Sequence, residues 1–391
     1  MKSTLLALCL IGFGAFGSPT RPEAPTSLTL KRRYEHQWLH GQWLTFGHRT
    51  RQNRAHVIAI NPKNLEIEIL DAPTGKTLLQ DRLDSKARSP HLLTTLSARG
   101  GEFLVALART DRVVELHSLD SEESFEVPVD SAPTSLALTE IRPGQIYLTV
   151  GTPDRVLIFR RQGGSVQMVQ AINTPHLRQV QTLRGGKGEV FVQVQAGDGR
   201  FHVLQVDPEG RGWRERLALK RTSAKADSRI NGSGDFVSAF TQEQFAHLYV
   251  DSLNKEIAGI AISPDLGESG WLQGAGRRAW FAALQRQNGS PQLAIYDAYA
   301  PQVPIRLNVG EASSITHTGV FSVHGKTYYR YVKDNRVLQL QNPQEVSAIS
   351  TRDGDRIVDV NTLRSEGVDG QLLIVRLEGP RGVRLQVLEM R

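Results

Sequence analysis

The chain has 391 residues, of which 39% are apolar, 7% aromatic and 22% charged, with 35 Gly and 18 Pro. That balance excludes a disordered chain, a collagen-like chain and a coiled coil. The formal net charge of +7 is modest for the length, and the cations are scattered in small groups such as Lys31-Arg32-Arg33, Arg160-Arg161 and Arg277-Arg278, as on a solvated basic surface.

Residues Met1 to Gly17 read as a secretory signal peptide. Lys2 supplies the positive start, Leu5 to Phe13 the apolar core, and Ala15 and Gly17 the small residues that place cleavage before Ser18. The apolar run is too short to cross a bilayer, and no later stretch is long enough, so no transmembrane span is expected after signal removal. Cys9 is the only cysteine. It lies inside the apolar core behind Leu8, not at the site of a lipidated cysteine. The exported chain would then carry no cysteine, which points to a bacterial periplasmic or secreted protein held together by burial and backbone pairing alone. Export argues against a nucleic-acid partner.

Ser18 to Thr26 is rich in Pro, Ser and Thr and reads as a linker. From residue 27 to 391 the chain changes to short apolar or alternating runs ended by turn residues, the pattern of an all-β domain. Examples are His56 to Ile60, Glu102 to Ala108, Gln145 to Val150, Glu189 to Val194, Leu293 to Tyr296 and Gln371 to Arg376. Thr241 to Ile260 has some helical spacing, with Phe245, Leu248, Tyr249 and Leu253 able to share a face. The repeat that follows favours two strands there, His247 to Val250 and Ile257 to Ile262.

One pattern recurs along the chain: alternating apolar residues, then Asp or Asn, then a turn. It ends at Asp71, Asp120, Asp207, Asp251, Asp297 and Asn342, where an Asx-turn can start the next hairpin. A second marker is a Pro-led start to a strand: Pro90-His91-Leu92, Pro133-Thr134-Ser135 and Pro175-His176-Leu177. A period of about forty to fifty residues with four short strands per unit is the signature of a β-propeller. Units begin near Gly41, His91, Pro133, His176, Ser228, Trp271, Ile315 and Arg356, which predicts eight blades, with seven as the alternative because the seventh unit is the least regular. The last unit supplies three strands. Ser27 to Tyr34, ahead of the first unit, can supply the fourth and close the ring, removing exposed edges.

The stretch Leu70-Asp71-Ala72-Pro73-Thr74-Gly75-Lys76 resembles the repeat of bacterial YVTN-type and quinoprotein-like propellers. Leu79 stands where the quinoprotein version has Trp, and the other units keep only the terminal Asp or Asn. The resemblance implies an exported propeller of a superfamily that includes quinone-dependent dehydrogenases, lactonases and purely binding members. Fold alone does not choose among them.

Chemistry-bearing residues are sparse. The five Trp do not recur at the blade period, against a quinone site, and no cofactor is expected. Inner-strand starts line one mouth of the channel, where His91, Thr134, His176, Arg229, Trp271 and His317 can form a ring. Two imidazoles two blades apart make an incomplete metal set, so this ring reads as a wet binding surface. Thr351 to Val360 resembles a degraded calcium loop with Asp353, Asp355 and Asp359 as oxygen ligands; a plain Asp-Gly turn explains the same residues. Arg211 to Arg229, with Trp213 embedded, reads as a solvated edge decorated to block strand pairing, with docking of an acidic partner as the alternative. The expected function is an exported, non-enzymatic scaffold that binds another envelope or secreted protein, or an anionic glycan or lipid surface. A lactonase-like hydrolase and a carbohydrate-binding lectin are the alternatives.

Overall fold

The computed structural model describes residues 28–38, 42–49, 54–86, 90–98, 101–121, 123–184, 189–196, 200–207, 212–219, 225–230, 235–253, 255–272, 278–343, 345–352, 354–368 and 370–391. The expected signal peptide and linker lie outside the described residues.

The described residues form eight four-stranded antiparallel sheets, each a blade of a β-propeller. This decides the count in favour of eight over seven. The innermost strands, in blade order, are Leu44–Arg49, Leu92–Ser97, Ser135–Arg142, Leu177–Arg184, Lys225–Ile230, Gly270–Trp271, Ile315–Val323 and Arg356–Leu363. The unit starts read from the repeat fall within a few residues of these positions, with Ser228 the furthest inside its strand. Thr241 lies next to the last residue of Phe236–Gln242, and the segment after that strand is two strands, Phe245–Val250 and Lys255–Ala261. The sole helical element among the described residues is a short 3-10 turn, Pro264–Leu266.

Successive side chains of a strand point to opposite faces of its sheet. In a propeller both faces meet a neighbouring blade, so second strands read as unbroken apolar runs. Ala55, Val57 and Ala59 pack toward blade 8, while Ile58 and Ile60 of the same strand pack toward blade 2. Leu104 and Ala106 pack toward blade 3, and Phe103, Val105 and Leu107 toward blade 1. Each seam between adjacent blades holds its own apolar cluster. Fully burying one aliphatic or Phe side chain contributes about 1.5–3 kcal/mol, so the seams carry the cohesion.

The ring closes where the repeat placed it. Leu30–Trp38 pairs antiparallel with Gly382–Met390, running from Leu30 opposite Met390 to Trp38 opposite Val383. The two ends of the chain thus share blade 8, and Gly382–Met390 has no open edge. The closing seam is aromatic: Trp38 stacks on Trp43 of blade 1 with ring centroids 5.3 Å apart.

The recurring Asp or Asn ends the third strand of a blade. Asp71 Oδ2 accepts from Thr74 N at 3.2 Å, Asp297 Oδ1 from Tyr299 N at 3.0 Å and Asn342 Oδ1 from Glu345 N at 2.8 Å. The Asp297 bond, two residues on, is the expected Asx-turn; those of Asp71 and Asn342 reach three residues on. Asp120 instead accepts from Phe103 N at 2.6 Å, tying its turn to the second strand of its own blade. Outer edges are blunted: Thr77–Arg82 is largely exposed and polar, and Ala300–Asn308 carries Pro301 and Pro304, which cannot donate to an added strand.

Candidate binding site at the channel mouth

Innermost strands line the channel, so a short one leaves a gap in its wall. Blade 6 has the shortest, Gly270–Trp271, which pairs only with Ala282 and Phe281. The chain reaches it through the 3-10 turn and Gly267, which forms a parallel bridge with Ile315 of blade 7. Gly267 has φ +136°, and a Cβ there would meet Ile315 O at 2.1 Å. Only glycine allows this close approach.

Beside the short strand lies a cavity of about 380 Å³, walled by Thr241 of blade 5, Glu268, Ser269 and Trp271 of blade 6, and Thr316, His317 and Thr318 of blade 7. Its size falls in the range of small-ligand sites. Hydroxyls, one carboxylate, an imidazole and an indole edge share the wall. Trp271 itself is 6% exposed and packs edge-on against Phe281, centroids 5.4 Å apart.

His317 owes its position to a bulge. Thr316 pairs with Val332 and Gly319 with Arg330, so His317 and Thr318 together face Tyr331. His317 has φ +51°, the kind of local distortion by which bulges re-aim side chains. Burial pushes its imidazole below the ordinary value of 6.5, Asp359 opposes the shift, and Arg330 and Arg376 reinforce it. The ring is neutral at pH 7, with one nitrogen able to donate and the other to accept.

Arg330 and Arg376 lie in second strands. Arg330 is 2% exposed, and its Nη1 donates to His317 O at 3.1 Å. Burial lowers its guanidinium to about 10 against the opposing charge of Asp359. Its guanidinium occupies the place of a missing side chain: a Cβ on Gly319 would meet Arg330 Nε at 2.6 Å. Arg376 Nη1 donates to Trp43 O of blade 1 at 2.7 Å. The Nε of both arginines is buried without a hydrogen-bond partner among the described residues. Sequence reading missed this pair. The available signal was a cation interrupting an otherwise aromatic or aliphatic central strand, as in Tyr328-Tyr329-Arg330-Tyr331-Val332 and Leu373-Ile374-Val375-Arg376-Leu377.

The six residues of the expected ring divide among several places. Trp271 and His317 share the cavity. His91, exposed at the start of blade 2, donates from Nε2 to Pro133 O of blade 3 at 3.1 Å. Thr134 Oγ1 donates to Gly151 O at 3.2 Å within blade 3. His176 is exposed at the start of blade 4 with φ +58°. Arg229 lies inside the inner strand of blade 5, its backbone opposite Val237.

Of the expected calcium ligands, Asp353 lies outside the described residues. Asp355 forms an ion pair with the largely buried Arg384. Asp359 Oδ2 accepts from Asn361 Nδ2 at 2.8 Å. Among the described residues no group of three or more His, Cys, Asp or Glu is arranged to hold a metal ion. Trp213 is 45% exposed on the outer strand Trp213–Leu219 of blade 4, where Arg216 pairs with Asp251 of blade 5. No helix among the described residues is long and apolar enough to cross a membrane.

No protein-family profile matches the chain, and no curated protein sequence matches it. Solved structures do. The dihydro-heme d1 dehydrogenase NirN, in complex with DHE, is similar at 15% identity and a TM-score of 0.59, over 88% of this chain and 75% of that one. The Dos1 propeller is similar at 10% identity and a TM-score of 0.56, over 92% and 95%. At such identities the likeness speaks for architecture alone, and the architecture it shares with this chain is the β-propeller.

Proposed function

We propose that the chain is an exported, non-enzymatic β-propeller that binds another envelope or secreted component at its channel mouth. The observation that carries this reading is the cavity of about 380 Å³ opened by the two-residue inner strand of blade 6. Its hydroxyls, the Trp271 edge and the neutral His317 ring are recognition chemistry: apolar surface with a few polar groups that fix orientation. The apolar start of the chain and its cysteine-free remainder support export and a bacterial origin. The Leu70-Asp71-Ala72-Pro73-Thr74-Gly75-Lys76 stretch supports a place near the YVTN and quinoprotein-like propellers: it forms the turn between third and outer strands of blade 1, with Gly75 N donating to Asp71 O at 2.8 Å.

One observation favours a hydrolytic second reading. Glu268 and His317 line the same cavity, a carboxylate and an imidazole of the kinds used in general acid–base chemistry.

Crosslinking capture of the tagged protein from its own envelope fraction, with metal analysis on the same sample, separates the two. The binding reading expects a reproducible partner that is lost when Thr318→Arg fills the cavity. Equal capture by Thr318→Arg sinks it. A stoichiometric ion with no partner favours the hydrolase.

A further inference from the structure

The seam between blades 1 and 2 is filled by a shared apolar cluster, but beside it lies a second cavity of about 370 Å³, walled by third and outer strands of both blades. On the blade 1 side, Ile67, Leu79 and Leu83 pack toward blade 2. Asp81 lies opposite Ile67 in register. It therefore shares that face with the two leucines that flank it, while Arg82, opposite Glu66, alternates to the other face.

On the blade 2 side, Val114 and Leu116 of the third strand pack toward blade 3, so Glu115 and His117 face blade 1. Glu115 is 3% exposed and its carboxylate is saturated. It accepts from Arg109 Nη1 at 3.1 Å and from the Ser85 hydroxyl, and His117 Nε2 lies 2.9 Å from Oε2. An ionised carboxylate only accepts, so Nε2 carries the proton, and Nδ1 of the neutral ring keeps a lone pair. His117 is 6% exposed, lines the cavity, and has no second hydrogen-bond partner among the described residues.

The remaining polar wall also accepts more than it donates. Asp81, Asp84 and Glu123 line the cavity. Glu123 is paired with Arg161 at 3.2 Å. Asp81 Oδ1 takes the Arg82 backbone N–H at 2.7 Å, and neither Asp81 nor Asp84 forms an ion pair with a described residue. Among the described residues no three such groups converge on a metal ion. Acceptors spaced more widely suit a polyatomic cation whose N–H groups reach outward.

We propose that this cavity holds an alkylammonium group. Its apolar stem lies on Leu79, Leu83 and Leu119, and its three N–H donors meet the acceptor wall of His117, Asp81 and Asp84. Glu115 is a positioning residue, which fixes the tautomer of His117. The site lies in a different seam from the channel mouth and stands independently of it.

The test is calorimetry on the full chain at pH 8 and fixed ionic strength, with pentylammonium, its neutral counterpart 1-pentanol and the dianion glutarate. Pentylammonium binds, pentanol binds at least about tenfold more weakly, and glutarate does not bind. Asp81→Asn and Asp84→Asn, both at exposed positions, each weaken pentylammonium by about three- to tenfold and keep the unliganded melt. Glu311→Gln, an exposed acid on the link between blades 6 and 7, removes the same charge and leaves the affinity unchanged, as does Thr318→Arg. Two further probes identify the source. Tighter binding of Nα-acetyl-lysine methylamide than of 1,5-diaminopentane marks a lysine side chain of a protein, and the reverse order marks a free diamine. No binding of pentylammonium, equal binding of pentanol, or unchanged affinity in both Asp variants overturns the proposal. So does an equal loss in Glu311→Gln, which would reduce the effect to long-range attraction.

Discussion

Trp38 donates its indole N–H to Glu68 Oε2 at 2.8 Å, across the seam where the last blade meets the first. His36 Nε2 lies 3.1 Å from the same oxygen, and Thr77 Oγ1 donates to Oε1 at 2.8 Å. One buried carboxylate thus ties the N-terminal strand, which completes blade 8, to the third and outer strands of blade 1. The chain itself crosses this seam between Trp38 and Trp43, and the polar clasp adds a second hold, from the N-terminal strand to the far strands of blade 1.

The clasp predicts an acid-labile seam. Burial would raise the Glu68 carboxyl, but hydrogen bonds from His36, Trp38 and Thr77 outweigh it and hold the group at about 2, below its ordinary 4.5. A depressed carboxyl stabilises the fold fully above the unfolded value and loses that contribution as pH falls through the folded one. The window is therefore about pH 4.5 down to 2. Glu68→Gln keeps an acceptor for one side of the clasp only and loses the charge that strengthens the rest, and costs about 2–3 kcal/mol at pH 7. Urea melts across the acid range check both points: the variant loses the part of the wild-type slope that lies between pH 4.5 and 2.

His48 acts in a neighbouring window with a different origin. Its ring, in the inner strand of blade 1, lies 2.9 Å from Thr95 Oγ1 of blade 2. Burial lowers it to about 4, with the facing His56 adding to the shift. A histidine kept neutral in the fold costs stability as the unfolded chain takes up its proton, so stability falls from about pH 6.5 down to 4, by at most about 1.4 kcal/mol per pH unit. His48→Gln removes its own share of that slope and leaves in place the shares of His56 and His317, which burial also lowers, and the lower, Glu68-dependent slope. A single unchanged curve in the variant sinks the assignment.

The turn of blade 1 and the N-terminal strand meet at one glycine. Gly75 has φ +75°, and a Cβ there would lie 2.7 Å from the Tyr34 ring. Gly163 has a comparable φ of +57° and open space around it. Gly163→Ala costs about 1–2 kcal/mol, the left-handed penalty alone. Gly75→Ala adds a clash, bringing its cost to about 3 kcal/mol or more. The difference between the two melts measures the packing of Tyr34, and equal costs refute it.

Much of the ring was legible because its physics is repetitive. Every blade needs turn chemistry after its third strand, so Asp or Asn recurs at Asp71, Asp120, Asp207, Asp251, Asp297 and Asn342. Every inner strand needs a start, and three are led by Pro. Blade 7 reads as irregular because His317 and Thr318 bulge out of its inner strand, which shifts the pairing. The same bulge brings His317 to the cavity that Trp271 borders. Position along the repeat placed both at one mouth, but it carried no information on how short the inner strand of blade 6 is, and hence on where the wall opens. Arg330 and Arg376 were hidden for a different reason. Their surroundings, a backbone carbonyl from another strand in each case, depend on packing between strands that the repeat does not describe.

Gly319 and Arg330 supply the sharpest test of that packing. Gly-to-Ala in a strand ordinarily stabilises by about 0.5–1 kcal/mol, since Ala loses less freedom on folding. The Arg330 guanidinium stands where the new methyl would go, with Nε at 2.6 Å, Cζ at 2.8 Å and Nη2 at 2.9 Å. Gly319→Ala therefore destabilises, by about 1–3 kcal/mol, because a buried charge must leave its carbonyl partner to make room. Replacing the charge removes the conflict. In Gly319→Ala with Arg330→Met a flexible apolar side chain can yield to the methyl, and burial of the unpaired cation is relieved at the same time. The double variant is then more stable than Gly319→Ala alone, a coupling of at least about 1 kcal/mol by double-mutant cycle. Additive costs would mean that the guanidinium does not lie over Gly319.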